Sequence, residues 1–126
     1  MSRIVVDAIQ NDQIREHGGL SGLRDENVLE SALTRPQQQW HYGLTPDLAV
    51  LAAAYGFGLV RNHGYVDGNK RVGFAAAATF LRLNGLRLTA TEADAHDKVV
   101  GLAAGRVSEP DLVAWIRQCT GPVRVE

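Results

Sequence analysis

Two strongly apolar helical stretches, separated by a short polar break, constrain the fold of this chain most. The first is rich in leucine and alanine and runs to about Asn62, and the second is rich in alanine and runs from about Asn69 to Asn84. A helix that is apolar on nearly every face has to be buried. The two stretches therefore predict a pair of central helices, joined by the break at residues 63–68 and covered by the rest of the chain.

Start and stop signals predict shorter helices on both sides of this pair. The glycines Gly18 and Gly19 end a first helix, and Pro36 closes a second. Thr91 with Asp94 resembles a helix cap, as does Ser108 with the two residues that follow it. Outside the central pair, the predicted elements are helices over about 4–16, 25–34, 91–104 and 108–118 and a short extended segment at 86–90. The prediction is an all-α, compact bundle of about six helices in a single domain spanning residues 1–126.

The segment before the first central helix is the least regular part of the sequence. Residues 37–43 show neither helical nor strand periodicity, and we predict an exposed loop or flap there. Thr45-Pro46-Asp47 then predicts the start of the central helix. The Thr45 hydroxyl is the expected N-cap, and Pro46 takes the first helical position.

Composition excludes several classes of protein. Thirteen basic residues against fourteen acidic ones give a net charge of −1, whereas a protein that binds nucleic acid through its phosphates is usually basic. The single cysteine, Cys119, cannot form an internal disulfide, which fits a reducing compartment. No apolar run approaches the roughly 20 residues that span a bilayer, and residues 1–13 do not resemble a signal peptide. We expect a cytoplasmic protein that contacts no membrane and no nucleic acid directly.

The break between the central helices carries most of the reactive side chains. It reads Arg61-Asn62-His63-Gly64-Tyr65-Val66-Asp67-Gly68-Asn69-Lys70-Arg71. A helix that begins near Asn69 points its free N–H groups and the positive end of its dipole into the loop, and such an end binds phosphate. Lys70 and Arg71 add full charges at the same place. The pattern predicts an anion site at the start of the second central helix.

Two further residues of the loop supply chemistry beside this anion site. Asp67 is a hard oxygen ligand, and Mg²⁺ is commonly held by one carboxylate together with substrate phosphates. Histidine is the side chain that enzymes use most often as a general base, so His63 could accept the proton of a hydroxyl group. A base, a metal ligand and a phosphate site are the parts that phosphoryl or nucleotidyl transfer needs.

Each of these residues also has an ordinary structural reading. Asp67-Gly68 is a turn signal, Asn69 can cap a helix, and His63 can be a side chain at a helix end. Lys70 and Arg71 can be solvated charges. Their combination between two apolar helices is what favours a phosphate-handling site. The sequence has no Walker-type motif, no kinase glycine-rich loop and no Gly-x-Ser-x-Gly motif.

The loop resembles the signature of the Fic/Doc superfamily, His-x-Phe-x-Asp/Glu-Gly/Ala-Asn-Gly/Lys-Arg. The stretch from His63 to Arg71 matches its seven constrained positions, with Tyr65 as a conservative change from phenylalanine. Gly18-Gly19-Leu20, the run Phe80-Leu81-Arg82-Leu83-Asn84-Gly85 and the chain length are similar to those of Doc (death-on-curing) toxins. The resemblance covers nearly the whole chain and implies the Fic/Doc fold.

Two positions favour the Doc branch over the Fic adenylyltransferases. The latter have glycine after the motif asparagine and a second arginine three residues beyond the motif arginine, where this chain has Lys70 and Phe74. A lysine fills the space where a Fic enzyme seats the α-phosphate, and the missing arginine removes a clamp on the other phosphates. The resemblance therefore implies a protein kinase that transfers the γ-phosphate of ATP to a threonine of elongation factor Tu and arrests translation.

The resemblance assigns a role to each residue of the loop. His63 is the expected general base on the target hydroxyl, and Asp67 is the expected Mg²⁺ ligand. Tyr65 is expected to bury its ring and anchor the loop, with its hydroxyl bonded to a polar partner or to solvent. The expected ATP phosphate site consists of Gly68, Asn69, Lys70 and Arg71. The residues Trp40, His41 and Tyr42 fall where the superfamily has a flap that docks the target.

The resemblance also implies a partner. Fic proteins often carry an inhibitory helix with the pattern Ser/Thr-x-x-x-Glu-Gly/Asn, but the residue four before Glu26 is Gly22, so the pattern fails here. Restraint then has to come from outside, and a Phd-type antitoxin whose disordered tail folds into a helix would provide it. We expect its groove beside the first helices and near Arg82, although Arg82 can equally be a solvated charge. Contact with nucleic acid is expected only through the antitoxin.

Two other functions stay open on the sequence. One is nucleotidyl transfer in the Fic manner, which would attach AMP to the target; Lys70 and Phe74 speak against it. The other is a catalytically silent module that binds its antitoxin and acts as an operon co-repressor. The complete set of motif residues speaks against pure binding.

Overall fold

Six helices and one small antiparallel sheet make up residues 1–42 and 47–123, the part of the chain that the structure, a computed structural model, describes. In chain order the elements are α1 Arg3–His17, α2 Glu26–Tyr42, α3 Leu48–Asn62, α4 Asn69–Leu83, β1 Leu86–Leu88, α5 Glu92–Ala103, α6 Glu109–Gln118 and β2 Thr120–Pro122. In the sheet, Leu86 lies opposite Pro122 and Leu88 opposite Thr120. The predicted all-α bundle of about six helices is confirmed, and the predicted extended segment is β1.

Helix α3 lies at the centre of the bundle and packs against α2, α4, α5 and α6. Nine of its fifteen residues are buried, as its nearly uniform apolar sequence requires. Two clusters of buried side chains flank it. One joins α3 to α4, α5 and α6 through residues such as Leu81, Leu102 and Ile116, and the other joins it to α1, α2 and α4 through residues such as Val6 and Leu29.

The close approach of α3 and α4 depends on Gly73. A Cβ atom at this position would lie 2.5 Å from Val60 Cγ2 and 3.0 Å from the carbonyl oxygen of Gly56. The second contact is with backbone, which cannot rotate away as a side chain can. The two helices that carry the ends of the loop are therefore held at a separation that requires glycine.

We expect Gly73→Ala to lower the free energy of unfolding by about 1–3 kcal/mol, because an added methyl group overpacks the crossing and forces the helices apart. Urea unfolding followed by circular dichroism measures the change. Gly121→Ala is the matched control, since a Cβ atom there meets nothing within 4 Å. Equal stability of the two variants would contradict this description of the crossing.

Helix α2 is longer than the sequence predicts. Pro36 was expected to close it and residues 37–43 to form a loop. Helix α2 instead continues through Pro36 to Tyr42, so the first prediction is wrong and the second is wrong over 37–42, while residue 43 lies outside the described residues. A proline inside a helix removes one backbone hydrogen bond. Here its ring is fully buried, and Gln37 Nε2 beyond it donates to the carbonyl of Met1 at 3.0 Å. Packing against distant parts of the chain therefore outweighs the local effect of the proline.

The start of α3 also differs from the prediction. Thr45 and Pro46, the expected N-cap and first helical residue, lie outside the described residues. The N-cap of α3 is Asp47, whose Oδ1 accepts hydrogen bonds from the N–H groups of Ala49 at 2.9 Å and Val50 at 3.3 Å. A hydrogen bond from Arg117 is the main reason why the pKa of Asp47 lies below its ordinary value.

The predicted caps of the last two helices are confirmed. The Thr91 hydroxyl accepts from the Asp94 N–H at 3.1 Å, and Ser108 and Asp111 bond to each other reciprocally at the start of α6. At the end of α4, Gly85 takes a positive φ of 81°, as the glycine predicted to stop this helix should.

Candidate active site

The residues predicted to form the site all line one cavity of about 680 Å³. The cavity lies between the loop that joins α3 to α4, the first turns of α4 and one face of α5. The structure thus brings together His63, Asp67, Gly68, Asn69, Lys70 and Arg71. Their chemical roles stay predictions, which the local geometry makes more specific.

The anion-binding end of the cavity is the start of α4. Gly68 precedes the helix in a left-handed conformation, with φ at 78°, and no side chain caps the first turn. The first N–H groups of a helix have no partner inside it, and the helix dipole places partial positive charge among them. The exposed side chains of Lys70 and Arg71 follow at once. This end of the cavity therefore favours a phosphate group.

The side chain of Asn69 holds the loop. It is buried, and its Oδ1 accepts a hydrogen bond from the N–H of Tyr65 at 3.0 Å while its Nδ2 donates to the carbonyl of Tyr65 at 3.0 Å. This amide pairing ties the first residue of α4 to the middle of the loop. The amide thereby acts as both acceptor and donor toward one residue of the loop, so its main part in the described contacts is structural.

Tyr65 anchors the loop from its other side. Its side chain is buried, and its hydroxyl donates to Asp7 Oδ1 of α1 at 2.7 Å. This confirms that the ring is buried, and the partner of the hydroxyl is a carboxylate rather than solvent. Burial first, and the hydrogen bond to Asp7 second, raise the pKa of Tyr65. Asp7 is itself paired with Arg3 at 3.0 Å, so the anchor is joined to an ion pair on α1.

We expect Tyr65→Phe to lower the free energy of unfolding by about 1 kcal/mol, because it deletes one hydrogen bond to a partly exposed carboxylate and keeps the buried ring. Thermal and urea unfolding measure the loss. The control is the same substitution in an Asp7→Ala background, where the hydroxyl has already lost its partner. The same cost in both backgrounds would show that the hydrogen bond to Asp7 does not contribute.

The loop is also paired with the segment before α2. The carbonyl of Gly64 accepts from the N–H groups of Arg24 at 2.9 Å and Asp25 at 3.1 Å, and the N–H of Val66 donates to the carbonyl of Gly22 at 3.0 Å. A Cβ atom at Gly64 would lie 2.8 Å from the Cβ atom of Leu29. The glycine after the motif histidine therefore lets the loop pack directly on α2.

Asp67 sits at the anion end of the cavity with its carboxylate held by backbone. Its Oδ1 accepts from the N–H of Gly68 at 2.9 Å, and its Oδ2 accepts from the N–H of Leu20 at 3.3 Å. A Cβ atom at Gly19 would lie 2.7 Å from Asp67 Oδ2, which explains why glycine fits at this position of the turn after α1. Each carboxylate oxygen keeps acceptor capacity for a cation.

The wall opposite the loop was missed by the sequence analysis. It is formed by α5 and the residues before it, and its members are Ala90, Thr91, Glu92, Ala95, His96, Val99 and Val100. A spacing of three and four residues along α5 places its lining residues on one helix face, and this spacing was the available signal. Apolar residues on such a face look the same whether they pack in the core or line a cavity.

The aromatic segment at the end of α2 does not reach this cavity in the described part of the chain. Trp40 and His41 line a separate groove of about 200 Å³, together with Met1, Tyr55 and Phe80. Trp40 is half exposed there. The rest of the predicted flap, at 43, lies outside the described residues, as does the side chain of Tyr42.

A family model described as the Fic/DOC family matches residues 2–81 of the chain. The chain belongs to the Fic/DOC family. It is 41% identical over 100 residues to the Toxin Doc of Mycolicibacterium smegmatis, covering 77% of this chain and 76% of that protein. It is 32% identical over 114 residues to the Protein kinase doc of Escherichia phage P1, covering 90% of each chain. Both relatives support the resemblance to the Doc branch and a Doc-like toxin.

No helix within residues 1–42 or 47–123 has the length and apolar character needed to cross a membrane. In the same residues, no three His, Cys, Asp or Glu side chains come together as a metal site.

Proposed function

We propose that this protein is a Doc-type toxin kinase that transfers the γ-phosphate of ATP to a protein hydroxyl. The observation that carries the proposal is the shared cavity, in which His63, Asp67 and the uncapped start of α4 lie together with Lys70 and Phe74. Phe74 stands where the Fic adenylyltransferases carry a second arginine, and it lines the cavity as an apolar, half-buried residue. A second phosphate clamp is therefore missing at that position.

The cavity offers two different environments for a nucleotide. The phosphate groups fit the end formed by Gly68, Lys70 and Arg71, where helix dipole and full charges coincide. Across the cavity, the lining face of α5 offers apolar contact through Ala95 and Val99, which suits the less polar part of the nucleotide. His63 lies at the loop end of the cavity, where its exposed imidazole is accessible to a target hydroxyl.

The proposed reaction needs few groups from the protein. The imidazole of His63 accepts the proton of the target hydroxyl, the hydroxyl oxygen bonds to the γ-phosphorus, and the bond from that phosphorus to the bridging oxygen breaks to release ADP. Lys70, Arg71 and the N–H groups of α4 stabilise the negative charge on the phosphates. Proton transfer and charge stabilisation are thus assigned to different groups of one loop.

Asp67 is the residue proposed to hold Mg²⁺. One carboxylate at the phosphate end of the cavity fits the usual way of binding this ion, in which phosphate oxygens and water supply the other ligands. The backbone N–H groups of Gly68 and Leu20 fix the orientation of the carboxylate. When bound, Mg²⁺ would supply charge neutralisation at the phosphates.

The proposal is tested by incubating the purified protein and elongation factor Tu with ATP labelled either at the γ-phosphate or at the α-phosphate. Label transfer from γ-labelled ATP alone supports the kinase. Transfer from α-labelled ATP would instead show nucleotidyl transfer, and no transfer from either would favour the silent antitoxin-binding module. A panel of host proteins in place of elongation factor Tu separates the reaction type from the identity of the target.

We expect Lys70→Gly to slow γ-phosphoryl transfer at least about 10-fold, because a charged donor to the phosphates is removed. The same variant opens space for the α-phosphate and is expected to gain transfer from α-labelled ATP. The two labels measure both changes in one assay. Lys98→Gly, which removes a lysine from α5, is the matched control. Unchanged kinase activity in Lys70→Gly would show that this residue does not decide the branch.

We propose a Phd-type antitoxin as the partner. The separate groove beside Trp40 is also lined by Phe80 and Asn84, which lie on either side of Arg82 in sequence, and this supports a docking place beside the first helices and the end of α4. An amphipathic helix suits such an apolar groove. Expression of the chain alone is expected to arrest growth, and co-expression with the neighbouring small gene is expected to relieve the arrest and give a complex that co-purifies. Harmless expression of the chain alone, at levels confirmed by blot, would contradict this part of the proposal.

A further inference from the structure

His63 adopts an unusual backbone conformation. It caps the C-terminus of α3 with φ at 52° and ψ at 52°, and among the described residues it is the only one besides glycine with a positive φ. Residues other than glycine are uncommon in this region, so the contacts around His63 matter for keeping it there. Because the backbone of His63 sets where its imidazole points, whatever holds this conformation also positions the proposed base.

Arg24 contacts the backbone on both sides of His63. Its Nε donates to the carbonyl of His63, its Nη2 donates to the carbonyl of Asn62 at 3.0 Å, and its own N–H donates to the carbonyl of Gly64 at 2.9 Å. One residue in the turn before α2 thus bonds to three successive carbonyls around the proposed base. The last carbonyls of a helix have no partner inside it, and a cation is favoured there.

The guanidinium of Arg24 is directed at these carbonyls and not at an acidic side chain. It takes part in none of the ion pairs found in residues 1–42 and 47–123. The rest of the loop has its own anchors, since Asn69 holds Tyr65 and Gly64 packs on Leu29. Loss of the Arg24 side chain would therefore release the peptide of His63 and leave the remainder of the loop in place.

We propose that Arg24 is a positioning residue for His63: its planar guanidinium holds the carbonyls of Asn62 and His63 and so fixes the left-handed conformation from which the imidazole faces the target hydroxyl. The inference rests on the proposed function of His63 as the base. Arginine suits the task because two of its N–H groups point in fixed directions at two acceptors, whereas lysine presents a single mobile ammonium group.

The test compares Arg24→Gln and Arg24→Lys with Arg35→Gln. Arg35 is the matched control because its exposed guanidinium also makes two hydrogen bonds, but to Glu109 on α6, far along α2 from the loop. For Arg24→Gln we expect a fall in kcat of about 10- to 100-fold with an unchanged KM for ATP, since a displaced base slows the chemical step. Arg24→Lys is expected to keep the stability of the parent protein and to recover only part of kcat. A parental kcat in Arg24→Gln, full recovery in Arg24→Lys, or a raised KM for ATP with unchanged kcat would overturn the proposal.

A second readout does not depend on activity. The Cα and Cβ chemical shifts of His63, with the coupling between its amide proton and Hα, report its φ and ψ in solution. They are expected to indicate a left-handed conformation in the parent protein and in Arg35→Gln, and to change in Arg24→Gln. If Arg24→Gln does not fold, the same shifts and coupling of His63 are measured in Arg24→Lys, where the expected change is smaller. Left-handed values that persist in both Arg24 variants would overturn the proposal, whereas a parent protein that transfers no phosphate would overturn the proposed function alone.

Discussion

A His63→Ala variant is expected to fold normally and to transfer phosphate about 10²–10⁴-fold more slowly than the parent protein, because general-base assistance of this size is lost with the imidazole. The side chain is exposed, so its removal leaves the packing of the loop intact. Initial rates with γ-labelled ATP measure the effect in vitro. Growth after induction measures it in cells, where the variant is expected to be harmless.

His17→Ala is the matched control for this prediction. His17 is exposed, is the last residue of α1 and does not line the cavity. It is expected to keep the parental rate and the parental toxicity. Full toxicity of a soluble, folded His63→Ala protein would contradict the assignment of His63 as the base.

Asn69→Ala is expected to be the most destabilising single change in the loop, with a loss of about 2–4 kcal/mol in the free energy of unfolding. It leaves the buried N–H and carbonyl groups of Tyr65 without their partner, and each buried polar group without a hydrogen bond carries a penalty. Urea unfolding measures the loss. Amide hydrogen exchange of Tyr65 is expected to accelerate at the same time, because its N–H is no longer bonded.

Two further variants make the Asn69 prediction specific. Asn69→Asp keeps an acceptor for the Tyr65 N–H but loses the donor to its carbonyl, so its stability is expected to lie between those of the parent protein and Asn69→Ala. Asn11→Ala makes the same change at an exposed position of α1 and is expected to cost little. A loss for Asn69→Ala no larger than that for Asn11→Ala would show that the amide does not hold the loop.

The central part of the fold could be predicted because the apolar composition of its helices indicates that they are buried. The apolar stretch that became α3 has few positions that tolerate solvent, and the polar break after it separates it from the second apolar stretch, α4. The caps of α5 and α6 were equally accessible, since each depends on residues three positions apart. Local signals of this kind require no knowledge of what packs against them.

The extension of α2 and the partners that hold the loop could not be predicted, for the opposite reason. Pro36 has a local tendency to end a helix, and only its burial and the bond from Gln37 to Met1, 36 residues away in sequence, reverse it. The contact of Tyr65 with Asp7 spans 58 residues. Asn69 looked like a helix cap, yet its amide faces back into the loop. Contacts between distant segments cannot be recognised from the residue pattern within either segment.

Only the loop side of the candidate site was predicted from the sequence. The motif residues lie next to one another in sequence, so their gathering in one loop followed from the sequence alone. The α5 wall with Glu92 and His96 is separated from the loop by the whole of α4 and β1, and it enters the cavity only through the packing of α5 on α3 and α4. Its place in the cavity therefore depends on the fold rather than on the motif.

The mass of elongation factor Tu from cells that express this protein tests the central claim most directly. The intact factor and its tryptic peptides are compared between cells expressing the parent chain and cells expressing His63→Ala at equal levels. The account predicts the added mass of one phosphoryl group on a threonine or serine peptide in the first sample and none in the second. The added mass of AMP, or an unmodified factor in cells whose growth has stopped, would contradict it.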